Sequence, residues 1–465
     1  MVGEETILTQ PHIRENRIMD PLPRQAQEYD INQQLGEGFP AAVMKMNVTL
    51  PLEITIEQAK EAWQALIFQH EGLRTFFPVM DGLLRQAVSN DDPGIFELQH
   101  LNISSWEEFY SFESACRQKL KELNVAPLTI AGIVKNDRKV TVVIFMQHIL
   151  GDAWSMNLIK TTLIDYCEKL IKGEKIKTAP VIQLGDFYED QREKLLTQQE
   201  RNTNYWRSRL TDQKWHFNFD QFIRSCSTSG ADLSSLEEDT SCKYPTQNQL
   251  YHDPNGAFYA IYMEPELYGQ LKKYCVLHKL SINNFLLSSL ALVGSRTSAN
   301  QDLLIRTIYF NRLSKKTHQV IGNLLTDVLH YFQINQQEKT SEFLKRTAGS
   351  AMGTIRKAVQ DLQPLEKEVQ VATKCFMMFN FVGNDMGVAR TANLQPPRLT
   401  HSEQIWSPLF CDATEYANTI LFNCGFHHKY LNQDVVKVLF QKLFTLVERM
   451  IKSEDADLQV LLKEI

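Results

Sequence analysis

Apolar positions recur along this chain with two spacings, every second residue and every three to four, and the switch between them marks out strands and helices. From Pro40 onward the first expected strand is residues 44–50, rich in long and branched side chains. A helix follows at once. Thr55-Ile-Glu-Gln58 reads as a capping box, and Ala62, Trp63, Leu66, Ile67 and His70 then fall on one helical face. A second helix is expected over 106–120. Residues 128–134 and 139–147 flank the polar turn 135–138 and predict a β-hairpin, whose second arm is almost unbroken apolar, as in a strand covered on both faces. After Gln147 and His148 comes a short segment, 149–153. Trp154, Leu158, Ile159, Thr162, Leu163, Tyr166 and Leu170 then return to helical spacing.

Residues 225–255 are rich in Ser, Thr, Asp, Asn and Gly without a period, and read as a loop or surface insertion. Beyond them, strands are expected at 257–263, 303–309, 327–334, 374–382 and 418–426. Helices starting near Pro265, Ser281, Thr340 and Gln433 lie between them. The pattern is therefore α/β twice over, in two regions of similar size.

Composition narrows the function classes. At 465 residues the chain is too long for one ordinary core and suits two domains. Hydrophobic residues at 43% and charged residues at 22% are those of a globular chain, and no run approaches the roughly 18 apolar residues of a spanning helix. A net charge of -6 gives no electrostatic reason to bind nucleic acid or an anionic bilayer. The eight cysteines are scattered and form no C-x-x-C, so reduced thiols in a cytoplasmic protein are expected. The polar, acidic residues 1–15 are unlike a secretion signal, and the starting Met1 is compatible with a free-standing protein.

The strongest chemical candidate is His148, placed where a buried strand gives way to a polar turn, with a carboxylate, Asp152, four residues on. That spacing is common by itself. Met146-Gln-His-Ile-Leu-Gly-Asp-Ala-Trp-Ser-Met156 around it resembles the M-H-H-x-x-x-D-G-W-S motif of condensation domains of nonribosomal peptide synthetases. Gln69-His-Glu-Gly-Leu-Arg-Thr-Phe-Phe77 is similar to the family's R-H-E-x-L-R-T-x-F. Pro21-Leu22 with Ala26-Gln27, Gly185-Asp-Phe187, Tyr205-Trp-Arg-Ser-Arg-Leu210, and Asn311-Arg312 followed by Ile321-Gly322 resemble further motifs in family order.

The resemblance implies the chloramphenicol acetyltransferase fold duplicated in one chain, as subdomains 1–185 and 186–465 forming a V with a central tunnel. It implies amide formation between an acyl or peptidyl thioester and an amine, each usually carried on the phosphopantetheine arm of a carrier protein. His148 would be the catalytic residue, with Asp152, paired to Arg312, and Gln147 as structural support. Gly151, Ala153, Trp154 and Ser155 would line the tunnel, with backbone N–H groups of 151–154 as oxyanion donors. No bound cofactor or metal is expected, and the chain should be a monomer.

The departures point to a divergent member. Gln147 replaces the first motif histidine, although its amide still donates and accepts, and Ala153 replaces the motif glycine. Gln69 and Asp190 stand where arginine and tryptophan are expected, and Asn323-Leu-Leu-Thr326 replaces an F-V-N-T-like run. Phe379-Asn-Phe-Val-Gly383 resembles an epimerisation-domain motif, but Ile308 occupies the position of the glutamate that chemistry needs. Two alternatives remain: transfer to a hydroxyl acceptor to give an ester, and a catalytically silent domain that recruits a partner protein. His427-His428 reads as a polar turn after a strand, Met377-Met378 as strand core, and the charged stretch 189–201 as a solvated helix.

Overall fold

The computed structural model describes residues 17–34, 42–90, 93–103, 105–211, 216–227, 255–312, 314–383, 392, 394–402, 405, 407–453, 456–463 and 465. They form two compact units. The first comprises the described residues through Thr197 together with Phe310–Leu325, and the second comprises Gln198–Tyr309 and Thr326–Ile465.

In the first unit the expected hairpin forms from Thr129–Asn136 and Lys139–Gln147. Val43–Leu50 adds antiparallel to its apolar arm, pairing Val43 with Gln147 and Leu50 with Val140, and Gln99–His100 closes the far edge of a four-stranded sheet. Both faces of Lys139–Gln147 are covered, which is why its sequence lacks alternation. The helix Ile56–Gln69 carries both halves of the capping box at Thr55 and Gln58, and it packs against Ala153–Ile171. Trp63, Leu66 and Ile67 are buried in the shared core, where the Trp63 indole donates to Phe96 O at 2.8 Å. The turn Glu71–Arg74 comes so close to Ile321 that a Cβ on Gly72 would lie 2.5 Å from the Ile321 carbonyl oxygen.

The second unit is built on a seven-stranded sheet in the order Thr326–Gln333, Asp302–Tyr309, Cys375–Val382, Leu409–Glu415, Ile420–His427, Gly256–Tyr262, Arg398–Ser402. Pairing is antiparallel except on the two sides of Cys375–Val382. The helix Ile282–Ser298 is buried along nearly its whole surface, and Gln433–Lys452 lays a single apolar face on the same core. The helices foreseen near Pro265, Ser281, Thr340 and Gln433 all start there.

In the second unit periodicity missed two strands of the sheet. Arg398–Ser402 is a short polar edge strand, and Leu409–Glu415 carries Asp412 and Glu415, which break an apolar reading. Ser225 and Cys226, placed in the polar loop, end the helix Phe219–Cys226; positions 228–254 lie outside the described residues. The charged stretch 189–201 and the Tyr205-Trp206 segment belong to one 28-residue helix, Leu184–Thr211. Met377 is fully buried, as strand core requires, and His427 is a buried strand-end residue whose Nδ1 accepts from Lys429 N–H. Among the described residues no single helix is long and apolar enough to cross a membrane.

His70, at the end of Ile56–Gln69, is buried, and burial pushes its pKa down to about 4. The unfolded chain therefore takes up a proton near its ordinary value of about 6.5, while the folded chain stays neutral until about 4. Stability is unaffected above that window and falls as the pH drops through it. Between about pH 7.5 and about pH 5, the unfolding free energy in urea should fall by about 2 kcal/mol less in His70→Leu than in the wild type.

Candidate functional site

Three elements meet within six residues. The strand Lys139–Gln147 ends, the single turn His148–Leu150 follows, and Gly151 runs extended into Asp152, the N-cap of Ala153–Ile171. A Cβ on Gly151 would lie 2.8 Å from the Met146 methyl and 2.9 Å from Ser155 Cβ, so the tight passage leaves room only for glycine. The Asp152 Oδ1 accepts from Ser155 N–H at 2.8 Å, which ties the helix start to the carboxylate.

That carboxylate is fully buried and faces Arg312, whose Nη2 donates to Oδ1 at 2.9 Å and Oδ2 at 3.0 Å. The same nitrogen reaches Gly322 O at 2.9 Å, while Nη1 donates to Thr317 O at 2.6 Å and Val320 O at 2.7 Å. Ser155 completes the cluster. Its hydroxyl donates to Asp152 Oδ1 at 2.9 Å and accepts from Gly322 N–H and Arg312 Nη2 at 3.1 Å. Burial lowers the pKa of the Arg312 guanidinium and the Asp152 charge opposes that. Although Arg312 follows Asp152 by 160 residues, it lies in Phe310–Leu325, so the pair closes within the first unit. Its approach depends on Asn311, which adopts a left-handed φ of 52°. Asparagine is among the few residues that accept that conformation.

His148 projects from this anchored turn with its side chain 30% exposed. Its N–H donates to Ala42 O at 2.7 Å and Gln147 Oε1 at 2.6 Å. Asn323 bonds to it twice, placing Nδ2 3.0 Å from His148 O and 3.2 Å from Nδ1. Glu28 Oε1 lies 3.8 Å from the same ring nitrogen but is held by Arg24 at 2.8 Å. Gln147 is buried, and its amide donates to Leu120 O at 3.2 Å and Asn32 Oδ1 at 3.4 Å while its carbonyl serves His148. Both ends of the glutamine are thus used.

The other expected residues divide. Ala153 is exposed and opens a helix, outside the positive-φ residues, so the methyl that replaces glycine meets no strain. The Trp154 ring packs against His318 at a tilt of 44° with centroids 5.0 Å apart and donates to His318 O at 3.1 Å, fastening the loop that carries Arg312. Gly151 and Ser155 are buried. Expected to line a substrate channel, Ser155 instead spends its hydroxyl on the ion pair and offers none to a ligand. Sequence reasoning missed Asn323 and Glu28. Asn323 sits in the segment already marked as divergent after Ile321-Gly322, and that departure was the available signal; Glu28 carried none.

Chemistry elsewhere is limited. Among the described residues no group of three or more His, Cys, Asp or Glu is placed to hold a metal. Seven cysteines are buried free thiols, and Cys242 lies outside the described residues. Burial pushes Cys167, Cys226, Cys275 and Cys375 up to about 12, far from a reactive thiolate.

A family model described as the condensation domain matches residues 25–460. The chain belongs to the condensation-domain family. Enniatin synthase of Fusarium equiseti is 22% identical over 431 residues, covering 88% of this chain, while the chain spans 13% of that protein's length. The solved condensation domain from the monacolin K polyketide synthase MokA superposes with a TM-score of 0.70 at 12% identity, covering 95% of this chain and 99% of that one. The X-domain and OxyB complex from teicoplanin biosynthesis gives a TM-score of 0.73 at 14% identity, covering 98% and 97%. The mixed α/β architecture of this condensation domain is therefore the chloramphenicol acetyltransferase-like one.

Two predictions concern the anchor. Arg312→Met strands a buried carboxylate and should lower stability by about 3–5 kcal/mol, whereas Asp152→Ala combined with Arg312→Met should lose less than the two single losses added, in denaturation measurements. Asn311→Gly should unfold like the wild type, and Asn311→Val should cost about 1–2 kcal/mol.

Proposed function

We propose that this condensation domain is an acyltransferase that forms an amide between a carrier-bound acyl or peptidyl thioester and an amine, with His148 as its catalytic residue. The observation that carries this reading is one partly exposed imidazole at the end of a buried strand, on a turn whose far end is anchored by a buried ion pair in the family's motif positions. Both Asp152 oxygens are committed to Arg312, so Asp152 is assigned to support and His148 alone to the reacting groups. The amine attacks the thioester carbonyl, charge builds on oxygen, the C–S bond breaks and the nitrogen's proton ends on the thiolate. Alignment of two tethered substrates and one hydrogen-bonding imidazole are the available sources of rate, the latter contributing about 10²–10⁴-fold.

The donor and acceptor arrive, in this reading, on phosphopantetheine arms of carrier proteins, and the domain holds no cofactor of its own. It works as a monomer in the cytoplasm. A hydroxyl acceptor requires the same groups and gives an ester. Recruitment of a partner protein without catalysis is the rival, favoured by Gln147 in place of the motif histidine and by the structural likeness to an X-domain whose structure is a complex with OxyB.

The test is intact-protein mass spectrometry of acyl-loaded carrier proteins with a panel of amines and alcohols. Wild type should transfer the acyl group, and His148→Ala should be slower by about 10²-fold or more with an unchanged melting temperature. A folded His148→Ala that transfers at the wild-type rate removes His148 from the mechanism. Absence of transfer across the panel, with carrier binding intact, supports recruitment.

A further inference from the structure

We infer that Asn323 is a positioning residue that holds His148 as the tautomer with a bare Nδ1 and a protonated Nε2, so that His148 acts on an acyl group as a hydrogen-bond donor and not as a base. The catalytic half of this statement rests on the acyltransferase reading above; the tautomer stands independently of it.

The orientation of the Asn323 amide is over-determined. Leu325 N–H donates to its Oδ1 at 3.3 Å, and its Nδ2 donates to His148 O at 3.0 Å. Turning the amide over would set a carbonyl oxygen against the His148 carbonyl and an NH₂ against the Leu325 N–H, so neither contact survives the flip. Asn323 is fully buried, which makes both losses expensive. The Nδ2 that faces His148 Nδ1 at 3.2 Å is therefore a donor, and a neutral imidazole can meet a donor only with a lone pair. Its single proton must then sit on Nε2.

One neighbour opposes this assignment. The Glu28 carboxylate, 3.8 Å from Nδ1, would attract a proton there. It is beyond hydrogen-bond distance, and its Oε1 is already taken by Arg24 at 2.8 Å, so the shorter contact with Asn323 decides. Leaving a neutral ring as donor fits transfer from a thioester. The amine lone pair forms the C–N bond, and the carbonyl oxygen gathers charge facing Nε2–H. The C–S bond then breaks, and the nitrogen's surplus proton passes to the departing sulfur as a thiol. Nε2 keeps its own proton throughout, so protons and charge balance without a base on the enzyme.

The experiment is a long-range ¹H–¹⁵N spectrum of the full chain labelled with ¹⁵N-histidine above neutral pH, with His148→Gln identifying the His148 signals. Wild type should show a pyridine-like Nδ1 and a pyrrole-like Nε2. Asn323→Asp, whose carboxylate demands a proton on Nδ1, should exchange the two signatures and slow acyl transfer by about 10²–10⁴-fold, the range between losing one oxyanion donor and holding an imidazole in the wrong tautomer. If Asn323→Asp does not fold, Asn323→Ala should show both tautomers. A pyrrole-like Nδ1 in the wild type overturns the assignment whether or not the protein transfers acyl groups. An Asn323→Asp variant that exchanges the signatures yet transfers at the wild-type rate or faster overturns the donor role and makes His148 a base. Absence of transfer in the wild type, with the expected spectrum, overturns the acyltransferase reading and leaves the tautomer assignment standing.

Discussion

The buried ion pair between Asp152 and Arg312 is the constraint from which the rest of the site follows. Taking both charges out of water is unfavourable, and their mutual attraction compensates only when the remaining donors and acceptors are also met. Here Ser155, Gly322 and the carbonyls of Thr317 and Val320 meet both terminal nitrogens of Arg312, leaving only its buried Nε without a hydrogen-bond partner among the described residues, so one guanidinium gathers a helix start, a glycine turn and an irregular loop around a single carboxylate. Such a cluster adds little net stability over a well-packed apolar one. What it adds is uniqueness, because any shift of the 310–325 segment would strand a charge. Asn323 lies on that segment, and its two contacts with His148 have a fixed origin for this reason.

The fold was legible in the sequence wherever burial was one-sided or complete. The capping box at Thr55, the hairpin around 135–138 and the helix after Ala153 formed as expected, since each is specified by local pattern. Leu409–Glu415 was not legible because Asp412 interrupts its apolar run: Asn380, Asp412 and Asn423 sit side by side on three neighbouring strands, and Asn380 donates to Asp412 at 2.9 Å. The partner that satisfies Asp412 lies on a neighbouring strand, so within its own segment the carboxylate reads as a loop residue.

The site was legible for a different reason. His148 and Asp152 are four residues apart, and the motif around them carries their identity. Arg312 was reachable only through resemblance, since nothing in the residues between links it to Asp152. Asn323 was marked only as part of a divergent segment, and its role shows once the backbone brings its amide 3.0 Å from the His148 carbonyl. Ser155, which the resemblance placed along the tunnel, has its hydroxyl engaged with Asp152 and Gly322, partners that local sequence does not reveal.

The departures from the family pattern then acquire a common sense. Gln147, Ala153 and Asn323 all surround the turn that carries His148, yet none weakens its support. Gln147 bonds the His148 N–H with one end of its amide and Leu120 with the other, and Ala153 adds a methyl at an unstrained, exposed helix position. A domain losing its chemistry under no constraint would be expected to lose polar partners around the imidazole first, because unsatisfied buried groups persist only where something holds them. Here an altered motif residue supplies hydrogen bonds to the His148 backbone, and a residue in a divergent segment reaches both its carbonyl and its ring. That pattern is an imidazole still held by hydrogen bonds on changed neighbours, which is the arrangement the proposed transfer chemistry needs and silent recruitment does not.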